Sequence, residues 1–352
     1  MNQVEHFYPG GDRIAALRGQ GAPGGPRRPE KWIASMTTMT SQTERGLSRL
    51  PDGTRLRDAV AADPVGWLGP EHAARFGAST ELLVKLLDPG GRLPVHLHPD
   101  RAFARRHLGL PHGKTEAWIV LGVDPGARVR LGFAEPVRLP EVRALVDAGD
   151  AAGLLGLMRT LEVRPGDAVL VPAGVPHSID AGVFLLELQE PSDLSILLEA
   201  DGLDLDPHRE GHLGLGFDVA LTALRLDALG EDELGTLVVP GERLHASGQA
   251  DLLPVAASPY FRAHRLRAGG AGSPDGPVID PGFAVLLVVG GAGRLVPDAG
   301  EEVPLRRGDA VVVPYACGRW RLEGGEDTAG AAGGDVGVEA ILCRPPSPVE
   351  GR

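Results

Sequence analysis

Four side chains between residues 96 and 177 could together hold a divalent metal. His96 and His98 stand in the alternating run LPVHLHP. Side chains on a strand have a period of two, so His-x-His turns both imidazoles to one face. Glu116 opens the apolar run EAWIVL, and His177 follows the run GDAVLVPAGVP. Three neutral imidazoles and one carboxylate suit Zn²⁺, with Mn²⁺, Fe²⁺ or Ni²⁺ as alternatives. Each residue also has an ordinary reading: a core imidazole pair, an ion pair of Glu116 with Lys114, a loop histidine. The combination is more specific, because the spacing G(x5)PxG(x2)H is met by Gly166, Pro172, Gly174 and His177. Of the other histidines, only His112 is close enough to Glu116 in sequence to be a pocket candidate.

To bring these residues together the chain needs a small barrel of short strands. Strand-like runs occur at 79–88, 93–99, 115–122, 128–133, 161–174 and 184–189. EVRALVDAGDAAGLLGLMRT (141–160) has helical spacing and reads as an insertion packed outside the barrel. A helical part from TRLRDAV to about Ala74, interrupted at Pro64, precedes the strands and reads as two short helices. The Gly/Pro/Arg-rich first thirty residues are expected to form a poorly ordered arm. Residues 217–226 could be helix, and strands resume from 260 with FRAHRLRA, FAVLLVVGG, DAVVVPYA and GVEAILCR. RPGDAVLVPAGVPHSI (164–179) is echoed by RRGDAVVVPYACGRWRL (306–322), a supersecondary unit repeated as two barrels would repeat it. The second copy has Arg319 or a neighbour in place of His177 and no HxH upstream, so the second barrel is expected to be metal-free and structural. The expected organisation is an arm at 1–30, a metal-binding barrel at 31–200, a partly helical connection at 201–258 and a second barrel at 259–352.

Composition bounds the rest. The 50 glycines and 31 prolines fit many tight turns, and an aromatic content of 4% leaves the core to Leu, Val and Ala. A formal net charge of -12 argues against nucleic acid, whose phosphates demand a basic face. Two cysteines, Cys317 and Cys343, are too few for a disulfide scaffold. The N-terminus lacks the pattern of a signal peptide, and the longest apolar runs are of strand length, so neither membrane nor export is expected and the cytoplasm follows. The expected partner is a small molecule, bound by a monomer or small homo-oligomer.

Four blocks name a resemblance. LLVKLLDPGGRLPVHLHPDRAFA, GKTEAWIVL, VRPGDAVLVPAGVPHSI and LLELQEPSD, in that order over residues 79–193, resemble the type I phosphomannose isomerases. The resemblance implies a mainly β fold of two cupin (jelly-roll) barrels with a small helical N-terminal part and a helical insertion. It implies zinc, and interconversion of mannose 6-phosphate and fructose 6-phosphate. It gives His98, Glu116 and His177 the family's ligand roles and puts His96 where the family usually has glutamine. Lys114 matches an active-site lysine and Glu187 a pocket glutamate. One position departs: the family's pocket arginine, shortly after the Ser-Asp pair, is replaced here at Leu197 or its immediate neighbour. Arg209 is the nearest downstream arginine, and it could serve only if the loop 199–210 folds over the pocket.

An aldose–ketose isomerisation moves a proton between C1 and C2 through a cis-enediol. It needs a base and a cation near the two oxygens. Glu187 is the candidate base, Lys114 a candidate for hydroxyl proton transfer or phosphate binding, and Arg209 the candidate replacement cation. Lys85, alone in an apolar strand, is a second phosphate candidate, and Glu190, out of phase with Glu187, is expected outside. Leu197 keeps other readings open: a metal cupin enzyme on a different or unphosphorylated sugar, or a non-catalytic sugar-binding cupin.

Overall fold

The computed structural model describes residues 2–4, 7–19, 28–39, 42–203, 205–244, 248–269, 276–325 and 337–348. In chain order the first set of strands is β1 (Asn2–Val4), β2 (Glu30–Ile33), β3 (Leu83–Leu87), β4 (His96–Leu97), β5 (Glu116–Val123), β6 (Val129–Phe133), β7 (Met158–Leu161), β8 (Ala168–Val171), β9 (His177–Ile179), β10 (Val183–Gln189), β11 (Ile196–Leu197) and β12 (Val238–Val239). They form a seven-stranded sheet, β1-β2-β3-β10-β5-β8-β12, and a five-stranded one, β11-β4-β9-β6-β7. The second set is β13 (Gly248–Asp251), β14 (Arg262–Ala268), β15 (Val278–Ile279), β16 (Ala284–Pro297), β17 (Val303–Arg306), β18 (Ala310–Val313), β19 (Trp320–Gly324) and β20 (Val338–Arg344), in one eight-stranded sheet. All the strand pairs are antiparallel. The two cupin barrels expected from the sequence are present.

The repeat is written in hydrogen bonds. Gly166 N–H donates to Val120 O and Val120 N–H to Asp167 O; Gly308 N–H donates to Val288 O and Val288 N–H to Asp309 O. Asp167 accepts from Arg164 N–H, and Asp309 accepts from Arg306 N–H, each at 2.8 Å. In both units the Gly-Asp turn therefore delivers an apolar strand to the same kind of partner.

Alternation along the strands explains how the barrels are joined. Ala284, Leu286 and Val288 of β16 and Ala340 and Leu342 of β20 fill the second barrel. Val285 and Leu287, with Ile341 and Cys343, join the core of the first barrel instead. One continuous apolar core thus crosses the boundary.

Several expectations are corrected. Within the expected loose arm, Tyr8, Ile14 and Leu17 are buried in the main core. The turn Arg13–Leu17 sets Ile14 and Leu17 three residues apart on one face, an apolar stripe that the Gly/Pro composition obscured. Gly11 N–H donates to Asp88 O at 2.8 Å, tying this segment to the barrel. Residues 1, 5–6 and 20–27 of the arm lie outside the described residues. The helical part is three helices, 56–62, 64–68 and 70–76, because Pro70 restarts the chain after Gly69 just as Pro64 does after Asp63. The insertion is two helices, Leu139–Ala148 and Ala151–Leu157. At 217–226 only Phe217–Ala220 is α-helix, followed by a 3₁₀ turn. The connection at 201–258 is shared: β12 extends the first barrel's sheet on β8, and β13 opens the second barrel's sheet on β14.

Candidate metal centre

Register alone assembles one wall of the site. Trp32 of β2 stands opposite Lys85 of β3, Lys85 opposite Glu187 of β10, and Glu187 opposite Trp118 of β5. Directly opposed residues share a face of the sheet, so this row points into the barrel. Glu116 lies two residues before Trp118 on the same face, and the Trp118 indole N–H donates to Glu116 Oε1 at 2.8 Å. The facing sheet contributes the imidazoles: His96 of β4 is paired with His177 of β9, and His98 follows directly after β4.

His96, His98 and His177 are buried, with ligand nitrogens within 4.8 Å of one another. Each Nδ1 faces a backbone carbonyl, of Pro94 at 2.8 Å, Leu194 at 2.7 Å and Val175 at 3.0 Å respectively. These contacts place the proton on Nδ1 and leave Nε2 as the lone pair, as metal-ligating histidines require. Burial drives all three imidazoles below their ordinary value, His98 and His177 to about 3. Burial alone would raise Glu116, but Lys114 and the histidines hold it well below the carboxylate range. Glu116 Oε2 lies 3.0 Å from His98 Nε2, and Oε1 lies 3.4 Å from His177 Nε2. His177 Nε2 and Glu116 Oε2 are buried without a hydrogen-bond donor. Lone pairs and a carboxylate brought this close call for a cation, and three neutral imidazoles with one carboxylate fit a divalent metal.

The cluster opens into a cavity of about 520 Å³ whose lining includes His96, Lys114, Glu116, Glu187, Asp193 and Leu197. Glu187 is buried, its Oε1 has no hydrogen-bond partner, and Lys85 Nζ lies 3.7 Å away. Burial, with the Glu116 carboxylate nearby, pushes Glu187 up to about 7. Lys85 is sandwiched: Nζ is 3.5 Å from Glu30 and 4.7 Å above the Trp32 ring. Burial alone would lower it, but Glu30 and Glu187 hold it above its ordinary value. Lys114 Nζ lies 3.0 Å from His98 Nε2 and 3.3 Å from Glu116 Oε2.

Other expected residues are elsewhere. Leu197 N–H donates to Gly211 O at 2.8 Å, so the 199–210 loop does fold back. It presents Leu205 and Glu210 to the cavity, while Arg209 is exposed on helix Pro207–Glu210 and does not line it. The helix starts at Pro207, capped by Asp206; one residue along a helix turns a side chain by about 100°. His112 hydrogen-bonds Glu81 at 2.9 Å and lines a different cavity. Glu190, expected outside, is buried, accepting from Thr115 N–H at 2.9 Å and pairing with Arg101. Strand pairing ends at Gln189, so alternation no longer governs the next residue. Sequence reasoning missed Tyr8, which hydrogen-bonds Glu30, and missed Glu30 and Asp193 as lining residues. Their only signal was a polar residue inside or beside an apolar strand.

No protein-family model matches the chain. A mannose-6-phosphate isomerase of Streptococcus mutans is 28% identical over 313 residues, 86% of this chain and 91% of the relative. A mannose-6-phosphate isomerase of Bacillus subtilis is 29% identical over 246 residues, 69% of this chain and 72% of the relative. The apo mannose 6-phosphate isomerase of Salmonella typhimurium shares the fold over 98% of both chains, with a TM-score of 0.69 at 15% identity. The resemblance read from residues 79–193 is thus found again in sequence over most of the chain and in fold over nearly all of it.

Proposed function

We propose that this chain, similar in sequence and fold to the mannose-6-phosphate isomerases, is a metal-dependent aldose–ketose isomerase that interconverts mannose 6-phosphate and fructose 6-phosphate. The observation that carries the reading is a buried carboxylate with a free oxygen, Glu187, in the same cavity as the three-histidine, one-glutamate cluster. Glu187 takes the proton from C2 of the aldose and returns it to C1, by way of a cis-enediol. With its pKa near 7, it can both accept and return a proton at neutral pH. Lys85, fixed between Glu30 and Trp32, holds the base in place. Lys114 reaches the mouth of the cluster, where an ammonium can relay the hydroxyl proton between the sugar's oxygens. His96, His98, Glu116 and His177 would hold the metal, zinc in this reading, which when bound supplies Lewis-acid polarisation of a carbonyl oxygen.

One observation favours a second reading, the same reaction on an unphosphorylated sugar. Leu197, directly across from His96, faces the cavity with no charge to offer a phosphate. Lys85 and Lys114 already have carboxylate partners, and Glu30, Asp193 and Glu210 outnumber Arg45, the further cation in the lining.

The test is a side-by-side assay of zinc-reloaded protein on mannose 6-phosphate and on mannose, with His98→Ala as the control. Turnover of the phosphate ester, lost in the control, supports the first reading. Turnover of mannose alone supports the second, and Leu197→Arg should then shift preference toward the ester. Silence on both sugars in metal-loaded protein would sink the isomerase reading.

A further inference from the structure

The two barrels do not touch along their whole boundary. At one end the outward faces of β14, β16 and β20 meet the first barrel through Ala263, Val285, Leu287, Ile341 and Cys343. Toward the other end the same alternation puts Arg265 and Arg267 of β14 and Glu339 of β20 at outward positions, and the barrels part around a cleft of about 760 Å³. Its lining brings together Arg13, Arg265, Arg267 and Arg307 against Glu242 and Glu339. In a chain of net charge -12 this is a local excess of positive charge.

Two of these arginines are committed. Arg13 pairs with Asp124 and donates to Gly182 O, and Arg267 donates to Glu339 at 2.9 Å. Two are not. Arg265 is only 9% exposed, yet its Nη2 is buried with no hydrogen-bond partner. Arg307 is exposed and has no side-chain partner among the described residues. A buried guanidinium with an unused donor costs stability until an acceptor completes it, and an anion does so most strongly. The floor beside it is apolar, with Leu17, Phe184 and Val289.

We propose that the cleft between the barrels is a second binding site, separate from the metal centre, for a small phosphorylated metabolite. Arg265 and Arg307 hold the phosphate group by charge-assisted hydrogen bonds. The apolar floor takes part of the carbon skeleton. The site also touches the catalytic half: Ile119, Leu121 and Val123 at the far end of β5 line the cleft, and Glu116 begins the same strand. The proposal does not depend on the isomerase reading.

The test uses the full-length protein, with inorganic phosphate and phenyl phosphate as probes, followed by calorimetry and by thermal melting. Both probes are expected to bind and to raise the melting temperature, phenyl phosphate more tightly. Arg265→Met and, separately, the exposed Arg307→Gln should each weaken binding by about tenfold. His98→Ala and Glu187→Gln should leave it unchanged. Binding that survives both arginine changes but is lost in His98→Ala would put the anion in the metal pocket and overturn the proposal. Absence of binding by either probe would overturn it as well. Phenyl phosphate binding no tighter than phosphate would remove the apolar floor from the site.

Discussion

In the proposed isomerisation Glu187, as the base, carries the largest chemical demand of any single residue. Changing it to Gln keeps the shape and removes the base, so turnover should fall by about 10²–10⁴-fold while bound metal, measured by elemental analysis, is retained. The wild-type rate should climb as pH rises through the ionisation of this group, about 7 without metal and lower beside a dication. The histidines set a different dependence. His98 and His177 titrate at about 3 in the fold and at about 6.5 when unfolded. Between those values the unfolded chain binds more protons, so stability is lost as pH falls below about 6.5. Glu187 opposes this, because its raised value lets the fold hold an extra proton between about 4.5 and 7, but it is one group against three imidazoles. Metal-stripped protein should therefore lose about 3 kcal/mol between pH 6.5 and 5, read from urea midpoints. At this scale much was legible in the sequence. HLH, Glu116 and the G(x5)PxG(x2)H turn pointed through local spacing to side chains that the fold brings together, and strand period put Glu187 on the inward face. Tyr8, Glu30 and Asp193 were not legible, because what brings them to the cavity is pairing between distant segments. Arg209 failed on a single step of helix rotation.

The turn before His177 shows how an element serves the site. Gly174 has φ +85°, and its N–H donates to His98 O at 2.7 Å, linking the segments that carry the candidate ligands His98 and His177. A Cβ there would lie 2.9 Å from Ala223 O. Gly174→Ala should thus cost about 1–3 kcal/mol through strain and displacement, and should weaken metal retention as well. Retention of the full metal complement with unchanged stability would contradict this account. Strands and helices were mostly visible from periodicity, since Val/Leu-rich alternation and the 139–157 stripe are local patterns. The docked Arg13–Leu17 turn was hidden because five residues carry too little pattern to outweigh the glycines and prolines around them.

At the scale of the whole chain, the shared core is decisive. Because Val285, Leu287, Ile341 and Cys343 pack with the first barrel, a fragment ending at residue 258 would expose an apolar face. That fragment should aggregate or remain unfolded, and the full chain should melt in one transition by calorimetry. Two well-separated transitions would show that the barrels are independent. The sequence revealed two barrels through the Gly-Asp repeat but could not reveal their union, because which face of a strand meets a partner depends on the partner.

Lys85 and Glu187 stand opposite each other although about a hundred residues separate them along the chain. Closing so long a loop is entropically slow, and pairings of this kind are made late on the way to the native state. As the chain leaves the ribosome, β3 carries its lysine toward an apolar interior with Glu30 already made and Glu187 still to be synthesised. The wall that carries Lys85 and Glu187 can therefore close only once the chain has grown past β10, with the second set of strands still to be made.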